Sequence, residues 1–172
     1  AIANFEQSMS TLKAVAVTAN VPLAEQAEIY ARLRSEAILL GATTRFTSGQ
    51  AAEGLLFLAR AGFTAQEQLD AIGSTLNLAS AGSLELGEAA DFASNIVSQF
   101  NLTAAETVRV ADSLINVSNR SNTNVRQMAE AMKFAGPVAN ALGISLETTA
   151  AAIGVLGDSG IQAGMAGTNL RG

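Results

Sequence analysis

Apolar side chains recur along this chain every three to four residues, not every two, so the pattern predicts helices throughout. Between the helices one short string returns: Gly62-Phe63-Thr64, Asn101-Leu102-Thr103 and Gly143-Ile144-Ser145. Its first residue tolerates a left-handed backbone, which stops a helix, and its last carries a hydroxyl, which starts the next one. The apolar residue between them is expected to tuck under both helices. Glu67, Glu106 and Glu147 follow in the first turn, where the positive end of the helix dipole favours a carboxylate. Junctions about forty residues apart predict helical hairpins stacked as a scaffold, not a site built around one pocket.

Ile2, Phe5, Met9, Leu12 and Ala16 lie at helical spacing in an opening helix. A second helix enters at Pro22, a residue suited to a first turn, and is expected to end near Gly41. Its apolar stripe is Ile29, Leu33, Ala37 and Leu40, with Glu25, Glu28, Arg32 and Glu36 on a solvated face. The repeated part begins at Thr47 and Ser48, after a turn-like stretch from Gly41 to Thr44.

The first hairpin pairs a helix through Leu55, Leu56 and Leu58 with one carrying Leu69, Ile72, Leu76 and Ala79, which Gly73 is expected to weaken or break. The second sets Leu86, Ala89, Ala90, Ala93, Ile96, Val97 and Phe100 against Val108, Ala111 and Ile115. Ser118 to Asn124 is polar throughout and reads as a surface connection. In the third hairpin Val125, Met128, Ala129, Met132, Ala135, Ala139 and Leu142 keep the period, with a kink expected at Gly136-Pro137; Leu146, Ala150 and Ile153 follow. Gly154, Gly157, Gly160, Gly164 and Gly167 then predict close helix contact or a flexible joint. Ala166 to Arg171 reads as the start of an element that is cut short.

The expectation is therefore an all-α protein of stacked helical hairpins, about eight helices and no sheet. Residues 1–41 form an N-terminal helical pair, and 42–172 a helical-hairpin core region, as a fragment of a longer chain.

Composition narrows the function. Of 172 residues 49% are hydrophobic, much of it alanine, with seven Phe, one Tyr and no Trp, so the helices must pack closely. Only two prolines, Pro22 and Pro137, interrupt the chain. The absence of cysteine removes disulfides and thiolate metal sites and agrees with a reducing cytoplasm. Net charge is −5, and the ten basic residues, from Lys13 and Arg32 to Lys133 and Arg171, are scattered, so no direct nucleic-acid binding is expected. The longest apolar runs, Leu55 to Ala59 and Ala150 to Leu156, fall short of the ~20 residues of a membrane helix. No secretory signal is read at Ala1.

Several strings resemble chemical sites and fail on chemistry. Gly157-Asp158-Ser159-Gly160 matches the surroundings of a serine-protease nucleophile, yet the chain has no histidine to take the hydroxyl proton. Asp158 and Ser159 are expected to satisfy free backbone groups in a turn. The glycines from Gly157 to Gly167 lack the Lys-hydroxyl pair and the preceding strand of a phosphate loop. Glu85, Glu88 and Asp91 share a helix face without His or Cys, which favours a solvated acidic face over a metal or acid-base site. Met9, Met128, Met132 and Met165 are spaced as core. The Asn101, Asn116 and Asn119 triplets of glycosylation type read as helix ends. No catalytic, cofactor-binding or metal-ligating residue is expected, and the chain reads as a non-enzyme.

Many short strings, in order, resemble the core region of phage tail tape measure proteins. They include Ala42-Thr43-Thr44-Arg45-Phe46-Thr47, Ala51-Ala52-Glu53, Leu58-Ala59-Arg60-Ala61-Gly62-Phe63 and Leu78-Ala79-Ser80-Ala81-Gly82. Ala89-Ala90-Asp91, Val110-Ala111-Asp112, Glu130-Ala131-Met132-Lys133, Gly143-Ile144-Ser145-Leu146-Glu147, Gly160-Ile161-Gln162 and Ala166-Gly167-Thr168-Asn169-Leu170-Arg171 continue the series. The resemblance runs from Ala1 to Arg171 and brings no catalytic positions with it.

It implies a long, mostly helical structural protein of the virion tail, made in the bacterial cytoplasm, that lies in the tube lumen and sets tail length during assembly. It also implies expulsion at infection with help to DNA entry, and partners among tail tube, tail-tip or baseplate and tail assembly chaperone proteins. Self-association in the lumen is expected, and the grooves lined by Ala and Leu are the expected contact surfaces. Two alternatives stand beside it: a generic helical-repeat protein-binding module, and part of a tail protein carrying a cell-wall hydrolase module elsewhere.

Overall fold

A computed structural model describes residues 2–16 and 22–172. Among these, nine α-helices and one 3-10 turn occur, and no strand. They are α1 (Ile2–Ala16), α2 (Leu23–Thr43), α3 (Ser48–Arg60), α4 (Ala65–Gly82), α5 (Leu86–Gln99), the turn Ala104–Glu106, α6 (Thr107–Ser118), α7 (Val125–Ala141), α8 (Leu146–Asp158) and α9 (Ala163–Arg171). The helix beyond the expected eight is α9, which takes in the stretch from Ala166 to Arg171.

From α3 onward each helix packs on the helix before it in the chain and on the one two places back, which builds two layers. α1, α3, α5, α7 and α9 run side by side in one, and α2, α4, α6 and α8 in the other. The core lies between the layers and is filled by Leu33, Leu55, Leu58, Ile72, Leu76, Ile96, Leu114, Met128 and Met132, all sealed from solvent. Phe5, Met9 and Leu12 of the opening stripe are buried as expected, while the side chains of Ile2 and Ala16 lie outside the described ones.

The helix junction occurs five times, not three. Gly62 (φ 95°), Ser83 (φ 50°), Asn101 (φ 51°), Gly143 (φ 72°) and Gly160 (φ 81°) each take the left-handed conformation that ends a helix. The following amide reaches back five residues in every case: Phe63 to the Leu58 carbonyl (3.1 Å), Leu84 to Ala79 (2.9 Å), Leu102 to Val97 (2.9 Å), Ile144 to Ala139 (2.8 Å) and Ile161 to Leu156 (2.9 Å). The copies at Ser83-Leu84-Glu85 and Gly160-Ile161-Gln162 lack the hydroxyl of the other three, and neither Glu85 nor Gln162 makes a side-chain cap bond. Phe63, Leu84, Leu102 and Ile161 tuck against the core, whereas Ile144 stays 40% exposed.

The expected caps form. Thr64 accepts the Glu67 amide while its own amide donates to the Glu67 carboxylate (2.7 Å), and Thr103 with Glu106 closes the same reciprocal box. Thr47 with Gln50 and Asn124 with Gln127 add two more. Ser145 accepts from the Thr148 amide (3.2 Å), and Glu147, one position too early to close a box, turns elsewhere.

Other expectations need correction. α2 continues past Gly41 to Thr43, with Pro22 as its N-cap. α4 passes unbroken through Gly73, because that position faces open solvent and costs only local propensity. α7 contains Pro137 and runs on to Ala141, so the proline does not end the helix. In α6 the buried face is Thr107, Val110, Ala111 and Leu114, while Val108 is 47% exposed. Two apolar stripes one residue apart overlap there, and the 3-10 turn sets the phase in which α6 leaves it, with the Thr107 hydroxyl donating to the Ala104 carbonyl (2.6 Å). Leu142 and Met165, expected in the core, are 70% and 68% exposed.

Candidate interaction surface

Of the three carboxylates expected to form a solvated acidic face, Glu85, Glu88 and Asp91, the last two tie helices of one layer together. Glu88 on α5 accepts two bonds from Arg126 on α7, at 2.6 and 2.7 Å, and Asp91 one turn later meets Lys133 Nζ at 3.2 Å. Lys133 also sits 5.0 Å from the Phe92 ring centroid. In the other layer Arg109 on α6 bridges Glu106 (2.5 Å) and Glu147 on α8 (2.8 Å). The Glu88–Arg126, Asp91–Lys133 and Arg109–Glu147 links each join a helix to the one two places on, the same step that builds the layers.

These neighbours hold three carboxyls below the usual range. For Glu88 the leading cause is the hydrogen bond from Arg126. For Glu106 it is the backbone amide of Thr103, followed by the Thr103 hydroxyl and Arg109; for Glu147 it is its own backbone amide, with Arg109 adding to it.

Of the terminal glycines, Gly154, Gly157, Gly164 and Gly167 serve close contact, while Gly160 supplies the left-handed turn after α8. A Cβ at Gly154 would stand 2.5 Å from Val117 Cγ1, and one at Gly157 would stand 3.2 Å from Thr123 Cβ. Gly164 and Gly167 let α9 lie on α7, where a Cβ at Gly167 would meet Phe134 Cβ at 2.9 Å and the Ala131 backbone. Gly136, beside Pro137, admits Gln99 and Phe100 in the same way.

Gly157-Asp158-Ser159-Gly160 is spent on structure. Asp158 accepts the Asn122 amide (2.6 Å), and the Ser159 hydroxyl donates to the Val155 carbonyl (3.2 Å). Gln162 donates to the Asn122 carbonyl and accepts from Gln127 (3.0 Å), so the polar connection from Asn119 to Asn124 is pinned to the last two helices. The sequence marked it as surface but carried no sign of this tie. Asn101 and Asn119 lie at helix ends, whereas Asn116 lies inside α6. Among the described residues no group of three or more His, Cys, Asp or Glu side chains converges on a metal position. Nor is any described helix long and apolar enough to cross a membrane.

The Ala- and Leu-bearing faces expected as contact surfaces are mostly consumed by the core. An exception is a groove of about 140 Å³ between α7, α8 and α9, lined by Ala135, Val138, Ala139, Leu142, Ile144, Thr148, Thr149, Ala152 and Leu170. Leu142, Ile144 and Leu170 are exposed there, and no charged residue lines it.

Known proteins resemble this helical chain over most of its length. The family model for phage-related minor tail proteins matches residues 34–172. The chain is 38% identical over 168 residues to the tape measure protein of Pneumococcus phage Dp-1, covering 98% of this chain and 14% of that protein. It is 32% identical over 167 residues to the probable tape measure protein of Escherichia phage P2, covering 97% and 20%. The chain thus spans a seventh to a fifth of the length of these curated relatives. No solved structure matches it significantly. With the family model covering α3 to α9 entire, together with the C-terminal part of α2 from residue 34, the chain belongs to the family of phage-related minor tail proteins.

Proposed function

We propose that this chain is the compact, folded part of a tail tape measure, a structural element of the phage tail that acts through protein contacts and without catalysis. The observation that carries this reading is the similarity to two tape measure proteins over almost all of the chain. A structure whose charged and hydroxyl side chains serve helix ends and helix-helix ties supports it. Its place is the virion tail, within the tube lumen, after synthesis in the bacterial cytoplasm. Its partners are tail tube, tail-tip or baseplate and assembly chaperone proteins, with other copies of itself alongside, and the whole polypeptide aids DNA entry.

Setting length is then the task of other parts of the polypeptide. The longest helix here, α2, has 21 residues, and at ~1.5 Å per residue it spans only about 30 Å before the chain folds back. An in-frame deletion or duplication in the extended helical region of the parent gene, read as tail length in micrographs, tests this reading. Tails that shorten and lengthen in proportion are expected; unchanged tails remove the ruler function.

A further inference from the structure

The two-layer stack defines where the next helix belongs. In one layer α4 lies beside α2, α6 beside α4, and α8 beside α6, each new helix also packing on the one just before it in the chain. α8 turns Glu147, Gly154 and Gly157 toward α6 and the connection that follows it. Its opposite side carries Thr148, Ala152 and Val155, of which Val155 is 66% exposed, and no described helix lies there. That side is one wall of the apolar groove; Leu170 of α9 stands on the other, and Leu142 and Ile144 stand open beside it. The position is the one that α8 itself fills one step earlier, against α6 and α7.

We propose that this groove seats a further helix of the same polypeptide, lying on α8 as α8 lies on α6. Continuity of the layer selects the occupant: each described helix from α3 onward packs on the helix two places before it in the chain. The curated relatives hold five to seven times as much chain as is matched here, ample for another helix. An uncharged groove of Ala, Val, Leu, Ile and Thr takes the apolar stripe of an amphipathic helix. The stripe to expect resembles the row that α8 buries, Leu146, Ala150 and Ile153, with a small residue between two large ones.

Photo-cross-linking in the complete tail polypeptide tests this, with Val155→p-benzoylphenylalanine and, separately, Leu142→p-benzoylphenylalanine. Both side chains are exposed here, so the bulky group is compatible with the fold. The linked peptides are identified by mass spectrometry, with isotopically mixed copies separating links within a chain from links between chains. Links within one chain, from both positions to one helical segment C-terminal to residue 172, are expected, at a yield well above that of the same group at Val108. Links to another copy or to a different protein, no link, or a polypeptide that stops at residue 172 would each overturn the proposal.

Discussion

Arg126 grips Glu88 through two parallel bonds, Nε to Oε1 at 2.6 Å and Nη2 to Oε2 at 2.7 Å, across 38 residues of sequence. Planar pairing of this kind fixes orientation as well as distance, so it sets how α7 lies along α5. A double-mutant cycle on Glu88→Gln and Arg126→Gln is expected to show favourable coupling that shrinks as salt is raised, because the pair lies near solvent. Coupling indistinguishable from zero at low salt would mean that the pair is incidental.

The depressed carboxyls of Glu88, Glu106 and Glu147 give stability a definite pH dependence. A folded pKa below the unfolded one stabilises the protein above the ordinary glutamate value of ~4.3. That contribution is lost as pH falls through the lower folded values. Urea midpoints should therefore hold steady from roughly pH 5.5 to 8, where a chain without histidine has few groups to titrate, and fall below about pH 4.3. Glu88→Gln should flatten part of that acid limb. A midpoint rising on acidification contradicts the assignment.

Two glycine-to-alanine changes should move stability in opposite directions. At Gly167 the new methyl would be driven into the Ala131 backbone and the Phe134 Cβ at 2.9 Å, so the α7–α9 contact must open, at a cost of about 1–3 kcal/mol. At Gly73, mid-helix and facing open space, alanine should add about 0.5–1 kcal/mol. Denaturant melts of the two variants check both signs.

The left-handed junctions predict another opposed pair. Ser83 holds φ 50° against its preference, so Ser83→Gly should stabilise the protein, by up to about 1 kcal/mol. Gly62→Ala meets no steric obstacle but must adopt φ 95°, and should cost about 1–2 kcal/mol. Equal effects would show that backbone conformation does not govern these turns.

The phase of α6 is open to a direct check. Leu114 is sealed in the core and Val108 lies at the surface. Leu114→Ala should cost about 2–5 kcal/mol, and Val108→Ala less than about 1 kcal/mol. A reversed order would restore the face expected from Val108, Ala111 and Ile115.

Local physics made much of this architecture legible in the sequence. A glycine or asparagine that tolerates positive φ, an apolar residue and a hydroxyl cap act within one turn, so the junctions at Gly62, Asn101 and Gly143 stood out. The α5 stripe was equally plain, since a single consistent period leaves no competing face. Ser83 and Gly160 end helices in the same geometry, yet their successors Glu85 and Gln162 make no side-chain cap bond, and the pattern faded.

Tertiary packing decided the rest. Whether Val108 or Leu114 turns inward depends on how the 3-10 turn hands α6 to its neighbours, and overlapping stripes carry no answer to that. Glu88, Asp91 and Glu147 look alike as surface acids until layering brings Arg126, Lys133 and Arg109 opposite them. Leu142 keeps the helical period of the core and still lies exposed, because burial needs a neighbouring helix and none is described there. Helix starts and stops depend on forces that reach a few residues. Burial, pairing and docking depend on which helices the fold sets side by side, so the Leu142 groove becomes visible only once the helices are stacked.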